Sequence, residues 1–229
     1  QPATLNRNVY AAILLSVNWF SFIWAVNSGN VLESSLGYFL SPIVSILLGR
    51  LIFKERLGTA RWIAVCFAIA GVAGMVILAG RVPLAAMVIA LTWSGYSVIK
   101  KKSRVGPVVA LGLETSLLTP VAATALLWIL LTSRSTLPQV GPVTFGLLTL
   151  SGILTAVPLL LFAYAAPKVR MSTIGMSQYI VPSAQFLLAI YYGEAVDIAV
   201  LTSFSLIWIG LVLFTITGPP SSSSDDHIY

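Results

Sequence analysis

The chain has 229 residues, of which 58% are hydrophobic and 9% charged, and its formal charge is +6. So few charges cannot clothe a water-soluble surface of this size, which places the chain in a lipid bilayer. The single histidine, His227, and the single cysteine, Cys66, exclude a disulfide framework and a His/Cys metal cluster, so no cofactor is expected.

A bilayer span takes about 20 apolar residues. Cut at its charges, the sequence predicts helices over residues 9–26, 35–53, 62–79, 83–99, 108–131, 143–165, 172–192 and 198–216. The fold class is therefore all-α, a polytopic membrane protein with eight visible transmembrane helices. Pro42, Pro120, Pro158 and Pro182 lie within these segments and predict kinks, since each removes a backbone N–H.

The first helix carries Asn18, Trp19 and Trp24 and ends near Asn27. Amides are costly against lipid and point into a bundle, while aromatic faces suit apolar or cationic small molecules. Tyr38 opens the second helix, which also aligns Gly37, Ser41, Ser45 and Gly49 at steps of four, a groove for close helix packing. Ala70 and Gly74 repeat that pattern in the third helix, and Trp93 with Tyr96 adds aromatic surface in the fourth.

Glu114 lies about two turns into the fifth helix. A carboxylate there is expensive, and it reads either as a proton-coupling or substrate-charge site or as a structural acid paired with Lys100–Lys102. Gln178 and Gln185 place amides in the seventh helix, either lining a cavity or bonding between helices, and Tyr179 joins Trp93, Tyr96 and Tyr164 in an aromatic cluster that reads either as a binding surface or as part of the interfacial belt. Residues 218–229, GPPSSSSDDHIY, read as a disordered cytoplasmic tail.

Basic residues set the orientation. Threading eight spans places Arg7, Arg50, Lys54, Arg56, Arg61, Lys100, Lys101, Lys102, Arg104, Lys168 and Arg170 on one side, against Arg81 and Arg134 on the other. Both termini are thus expected in the cytoplasm. The positive charge reads as topology and attraction to anionic lipid, and nucleic acid is not an expected partner.

A weak internal echo organises the chain: Pro42, Glu55 and Gly71 return as Pro182, Glu194 and Gly210, at an offset of about 140 residues with one deletion. On that reading residues 1–80 hold three helices of a first repeat and 81–217 the five helices of a second. Two helices are then expected upstream of Gln1, giving ten in all, and an odd number of crossings per repeat inverts one repeat relative to the other.

The stretches Asn18-Trp19, Phe22-Ile23-Trp24-Ala25-Val26-Asn27, Leu32-Glu33-Ser34-Ser35-Leu36-Gly37-Tyr38-Phe39, Leu113-Glu114-Thr115, Gln178-Tyr179-Ile180 and Tyr192-Gly193-Glu194 resemble the RarD permeases. These are EamA-type members of the drug/metabolite transporter superfamily, and the resemblance covers nearly all of the chain up to about Thr217. It implies a ten-helix protein of the bacterial inner (plasma) membrane, and the family name points to chloramphenicol sensitivity as a phenotype.

The expected function is secondary transport of small organic molecules such as drugs, amino acids or metabolites, by alternating access driven by an ion or substrate gradient. A non-transporting membrane scaffold or sensor is the rival. Enzymatic motifs such as H-E-x-x-H, G-x-S-x-G or a Walker loop are absent from the sequence, so no enzyme is expected. Expected partners are a small-molecule substrate, the lipid bilayer and, in a homodimer, a second copy of the chain. Candidate cavity or coupling residues are Glu114, Asn18, Trp19, Trp24, Asn27, Tyr38, Trp93, Tyr96, Gln178 and Tyr179.

Overall fold

The computed structural model describes residues 2–28, 31–80, 84–132, 141–191 and 197–217. Glu194, Arg81, Arg134 and the expected tail at 218–229 lie outside these residues, as do the side chains of 31–35 and Gln185. The described residues form helices α1 (Pro2–Asn27), α2 (Val31–Ile52), α3 (Thr59–Ala79), α4 (Leu84–Lys101), α5 (Pro107–Leu131), α6 (Pro142–Ala165), α7 (Met171–Ser177), α8 (Ile180–Tyr191) and α9 (Ile198–Ile216), with a 3-10 turn at Ala166–Lys168.

Among the described residues each expected segment overlaps helix, and the segment at 172–192 overlaps two, α7 and α8. Among the described residues, five stretches are long and apolar enough to cross a bilayer: Leu5–Asn27, Thr59–Leu78, Pro107–Leu131, Pro142–Lys168 and Ile198–Ile216. Local sequence explains the ends. Pro107 and Pro142 occupy first-turn positions where a missing N–H costs nothing. Asp197 Oδ1 accepts the Ala199 N–H at 3.0 Å to start α9. Gly80, at φ 67°, closes α3 in the left-handed conformation.

The chain divides into two compact units, Gln1–Leu14 with Ile99–Lys168, and Leu15–Val98 with Val169–Tyr229. In the first unit, α5 and α6 are covered by protein only near Ala110, Leu111 and Glu114 and near Leu159 and Ala163. Several of their exposed hydroxyls bond within the helix. Thr119 Oγ1 donates to Thr115 O at 2.7 Å, and Thr155 Oγ1 to Ser151 O at 2.8 Å.

The second unit has a core drawn from α2, α3, α7, α8 and α9, including Phe39, Ile46, Val65, Tyr179, Phe186, Phe204 and Ile207. Phe186 and Phe204 stack at 4.0 Å between centroids, and Phe39 meets Phe204 edge-on at 5.2 Å. The stripe on α2 is a packing surface: a Cβ at Gly37 would strike Ile89 of α4 at 2.8 Å, and one at Gly49 would press Met171 at 3.1 Å.

α3 and α9 approach most closely. A Cβ at Gly71 would lie 2.5 Å from the Ser203 carbonyl oxygen and 2.7 Å from Ile207, while one at Gly210 would lie 2.6 Å from the Ala64 carbonyl oxygen and 3.2 Å from the Ala68 nitrogen. These contacts run antiparallel and are reciprocal. Ala64, Ala68 and Gly71 each stand 139 positions before Ser203, Ile207 and Gly210, the offset of the echo after its deletion.

Candidate functional site

The expected seventh helix is two helices. The fold runs α7 to Ser177, interrupts at Gln178–Tyr179 and resumes as α8 at Ile180. Pro182 supplies the physical reason, because it has no N–H for the Gln178 carbonyl four residues earlier and its ring crowds that oxygen. Gln178 O instead accepts from Val181 N at 3.2 Å, a three-residue step, and the Gln178 and Tyr179 amides likewise reach back three residues, to Gly175 O and Met176 O. Pro42, Pro120 and Pro158, in contrast, sit inside α2, α5 and α6 without ending them.

The break exposes two side chains to an unusual setting. Tyr179 is fully buried within the apolar core of the second unit, and its hydroxyl has no hydrogen-bond partner among the described residues. Both polar atoms of the adjacent Gln178 amide are also buried and unpartnered. Native proteins pair nearly all such groups, since each costs roughly 1–3 kcal/mol when left unmade. α7 is pressed onto α2 here, for a Cβ at Gly175 would stand 2.7 Å from the Pro42 carbonyl oxygen and 3.2 Å from the Ser45 Cβ.

A second feature fixes the start of α7. Glu55, in the turn after α2, accepts the Met171 N–H on Oε1 at 2.5 Å and the Ser172 N–H on Oε2 at 3.0 Å. The turn that delivers it carries Lys54 at φ 53°, and Arg50 Nη1 donates to the Glu55 carbonyl at 3.3 Å. Both carboxylate oxygens thus satisfy helix-start amides against the helix dipole. Glu55→Gln should lower stability by about 1–2 kcal/mol in thermal unfolding, because one amide oxygen replaces two charged acceptors. An unchanged melting temperature would rule the cap out.

The other sequence candidates have distinct placements. Asn18 is buried and donates Nδ2 to the Ile89 carbonyl at 2.8 Å and to Thr92 Oγ1 at 3.0 Å, so its amide is consumed in joining α1 to α4. Trp93 and Tyr96 stack at 5.6 Å, with Tyr96 fully buried. Tyr38 meets Phe22 edge-on at 5.8 Å. Trp19, Trp24 and Asn27 are exposed. Glu114 belongs to the first unit and pairs with Lys100, Nζ to Oε1 at 2.5 Å, with both side chains almost fully buried. A pairing with Lys100 is one of the arrangements that the sequence allowed.

Comparison with known proteins identifies the family. Over 215 residues the chain is 40% identical to Protein RarD of Escherichia coli strain K12, spanning 93% of this chain and 72% of that protein. The chain belongs to the RarD family. Protein RarD of Streptomyces exfoliatus is also 40% identical, over 93% of this chain and 68% of that one. The uncharacterized transporter YojE of Bacillus subtilis is 39% identical, over 90% of this chain and 68% of its own length. The model of the EamA-like transporter family matches residues 3–77. A protein crystal structure superimposes with a TM-score of 0.69 at 25% identity, covering 92% of this chain and 76% of that one. The chain is thus a multi-pass membrane protein of a transporter family.

Two residues of this RarD-family chain escaped the sequence reading. Ser172 is buried with an unpartnered hydroxyl, and Arg61, counted only as a topology charge, is buried at the start of α3. Charge counting treats every arginine alike, and nothing local to Arg61 distinguishes it from the exposed Arg56.

Proposed function

We propose that the chain is a secondary transporter of small organic molecules, such as drugs, amino acids or metabolites, and that the α7–α8 break forms part of its substrate path. The carrying observation is the pair of buried, unpartnered groups on Gln178 and Tyr179 at an interrupted helix. Discontinuous helices in carriers free polar groups at membrane depth for substrate, where intact helices would spend them internally. The match to the EamA-like transporter family and the transporter name of the relative YojE support the same class.

On this reading two five-helix repeats, inverted relative to one another, make a ten-helix carrier of the bacterial inner membrane. Its cavity opens alternately to either side, driven by an ion or substrate gradient. The reciprocal α3–α9 contacts are what an in-plane two-fold relation would produce, and the basic loops favour termini in the cytoplasm. Glu114, compensated by Lys100, serves first to hold α4 and α5.

Tyr179→Phe and Gln178→Leu test the site. Removing unpartnered polar atoms should leave the melting temperature unchanged or higher. Saturable flux into proteoliposomes of a panel of amino acids, metabolites and amphenicols should fall about tenfold, the cost of a lost substrate hydrogen bond. Wild-type flux in both variants would remove the break from the path. Absence of flux for the whole panel in the wild type, with or without a pH gradient, would favour the scaffold.

A further inference from the structure

Arg61 is 94% buried, at 6% relative exposure, in the first turn of α3, and its Nε and Nη1 have no acceptor among the described residues. Its guanidinium lies over the Phe214 ring, Cζ 4.5 Å from the centroid, which holds one face without offsetting the charge as a carboxylate would. The Glu55 carboxylate and the Arg170 guanidinium both act on it electrostatically. Glu55 is committed elsewhere, with both oxygens on the Met171 and Ser172 amides. Arg170 adds a second positive charge.

Ser172 provides an independent observation. It is 1% exposed, its amide binds the same Glu55 carboxylate, and its hydroxyl has no partner. Arg61 and Ser172 are thus two buried side chains whose donors are unspent beside a carboxylate that is already committed. A fixed, buried guanidinium without an acceptor is retained where an anion completes it.

We propose that Arg61, with Ser172, binds a phosphate-type oxyanion. The position favours phosphate over a diffusing carboxylate. Arg61 sits in the first turn of a helix apolar enough to span the bilayer, the depth of lipid headgroups, with Arg50 in the last turn of α2 and Lys54 and Arg56 in the turn that joins α2 to α3. The oxyanion comes either from a phospholipid or from free phosphate, and both present the same acceptor oxygens to guanidinium and hydroxyl.

The test uses the full chain, purified in neutral detergent. Native mass spectrometry with added phosphatidylglycerol should show one retained lipid per chain, with apparent affinity about tenfold weaker in Arg61→Gln and about threefold weaker in Ser172→Ala. Arg7→Gln, which alters an exposed arginine bonded to the Lys102 carbonyl, should match the wild type. In parallel, inorganic phosphate without lipid is titrated while the melting temperature is followed. An Arg61-dependent lipid adduct with no phosphate-induced shift identifies a lipid site, and an Arg61-dependent shift with phosphate identifies a soluble one. Arg61→Lys, which keeps the charge, secures the result if Arg61→Gln does not fold, and it should bind more weakly than the wild type. Equal losses in Arg7→Gln and the Arg61 variants, or no dependence on Arg61 and Ser172 with either probe, would overturn the site.

Discussion

Lys100→Met should destabilise the protein by about 3–5 kcal/mol, because it leaves the Glu114 carboxylate buried without its counter-charge. Nζ and Oε1 are 2.5 Å apart, at 2% and 1% side-chain exposure, so neither partner can turn to water when the other is removed. Glu114→Gln should cost a similar amount by stranding the ammonium. The double variant Lys100→Met with Glu114→Leu should recover most of the loss, since replacing both charges by apolar groups removes the desolvation penalty together with the attraction. Reversible denaturant unfolding of the purified chain reads all three. A loss under about 1 kcal/mol in both single variants would mean that the pair is solvated or redundant.

Gly71→Ala and Gly210→Ala should each cost about 1–3 kcal/mol, the usual penalty for forcing atoms into a packed contact. In both cases the new methyl would meet backbone, the Ser203 oxygen at 2.5 Å or the Ala64 oxygen at 2.6 Å, so no side chain can swing away. Relief requires α3 and α9 to separate. Because the contacts are equivalent across the 139-residue offset, the two losses should be alike, and the double variant should lose less than their sum once the helices have parted. Gly152→Ala, where nothing lies within 4 Å, should instead gain up to about 1 kcal/mol from helix propensity. Equal melting temperatures for all three variants would show that the crossing is not close.

The helices were legible because charges and apolar runs mark them locally. The predicted segment at 198–216 coincides with α9, and 108–131 differs from α5 by one residue. Gly71 and Gly210 were legible as an echo because a close crossing admits no side chain on either partner. Pro182 signalled a kink, yet sequence could not separate it from Pro42, since whether a proline ends a helix depends on how neighbours compensate the freed carbonyl. At the candidate site, Gln178 was named for its amide and Tyr179 for its aromatic face, and neither signal showed that the helix breaks there. The Glu55 cap was not legible, because it joins residues 116 positions apart and uses backbone donors that any residue would provide. Of the two amides expected to point inward from the first helix, Asn18 is buried and Asn27 is exposed, and the partners of Asn18 on α4 are set by register, which a single helix does not encode.

The crossing of α3 with α9 also constrains how the protein is made. Gly71 and Ser203 are 132 positions apart, so at about 5–20 residues per second the ribosome needs roughly 7–26 s between completing one side of the contact and the other. Throughout that interval the small-residue face of α3, with Gly71 and Gly74, must be sheltered by lipid, by an earlier helix or by the insertion machinery. A competing helix that docked there would have to leave before α9 could seat. The residues that make the finished crossing tight therefore also make the nascent chain dependent on the order in which its helices enter the membrane.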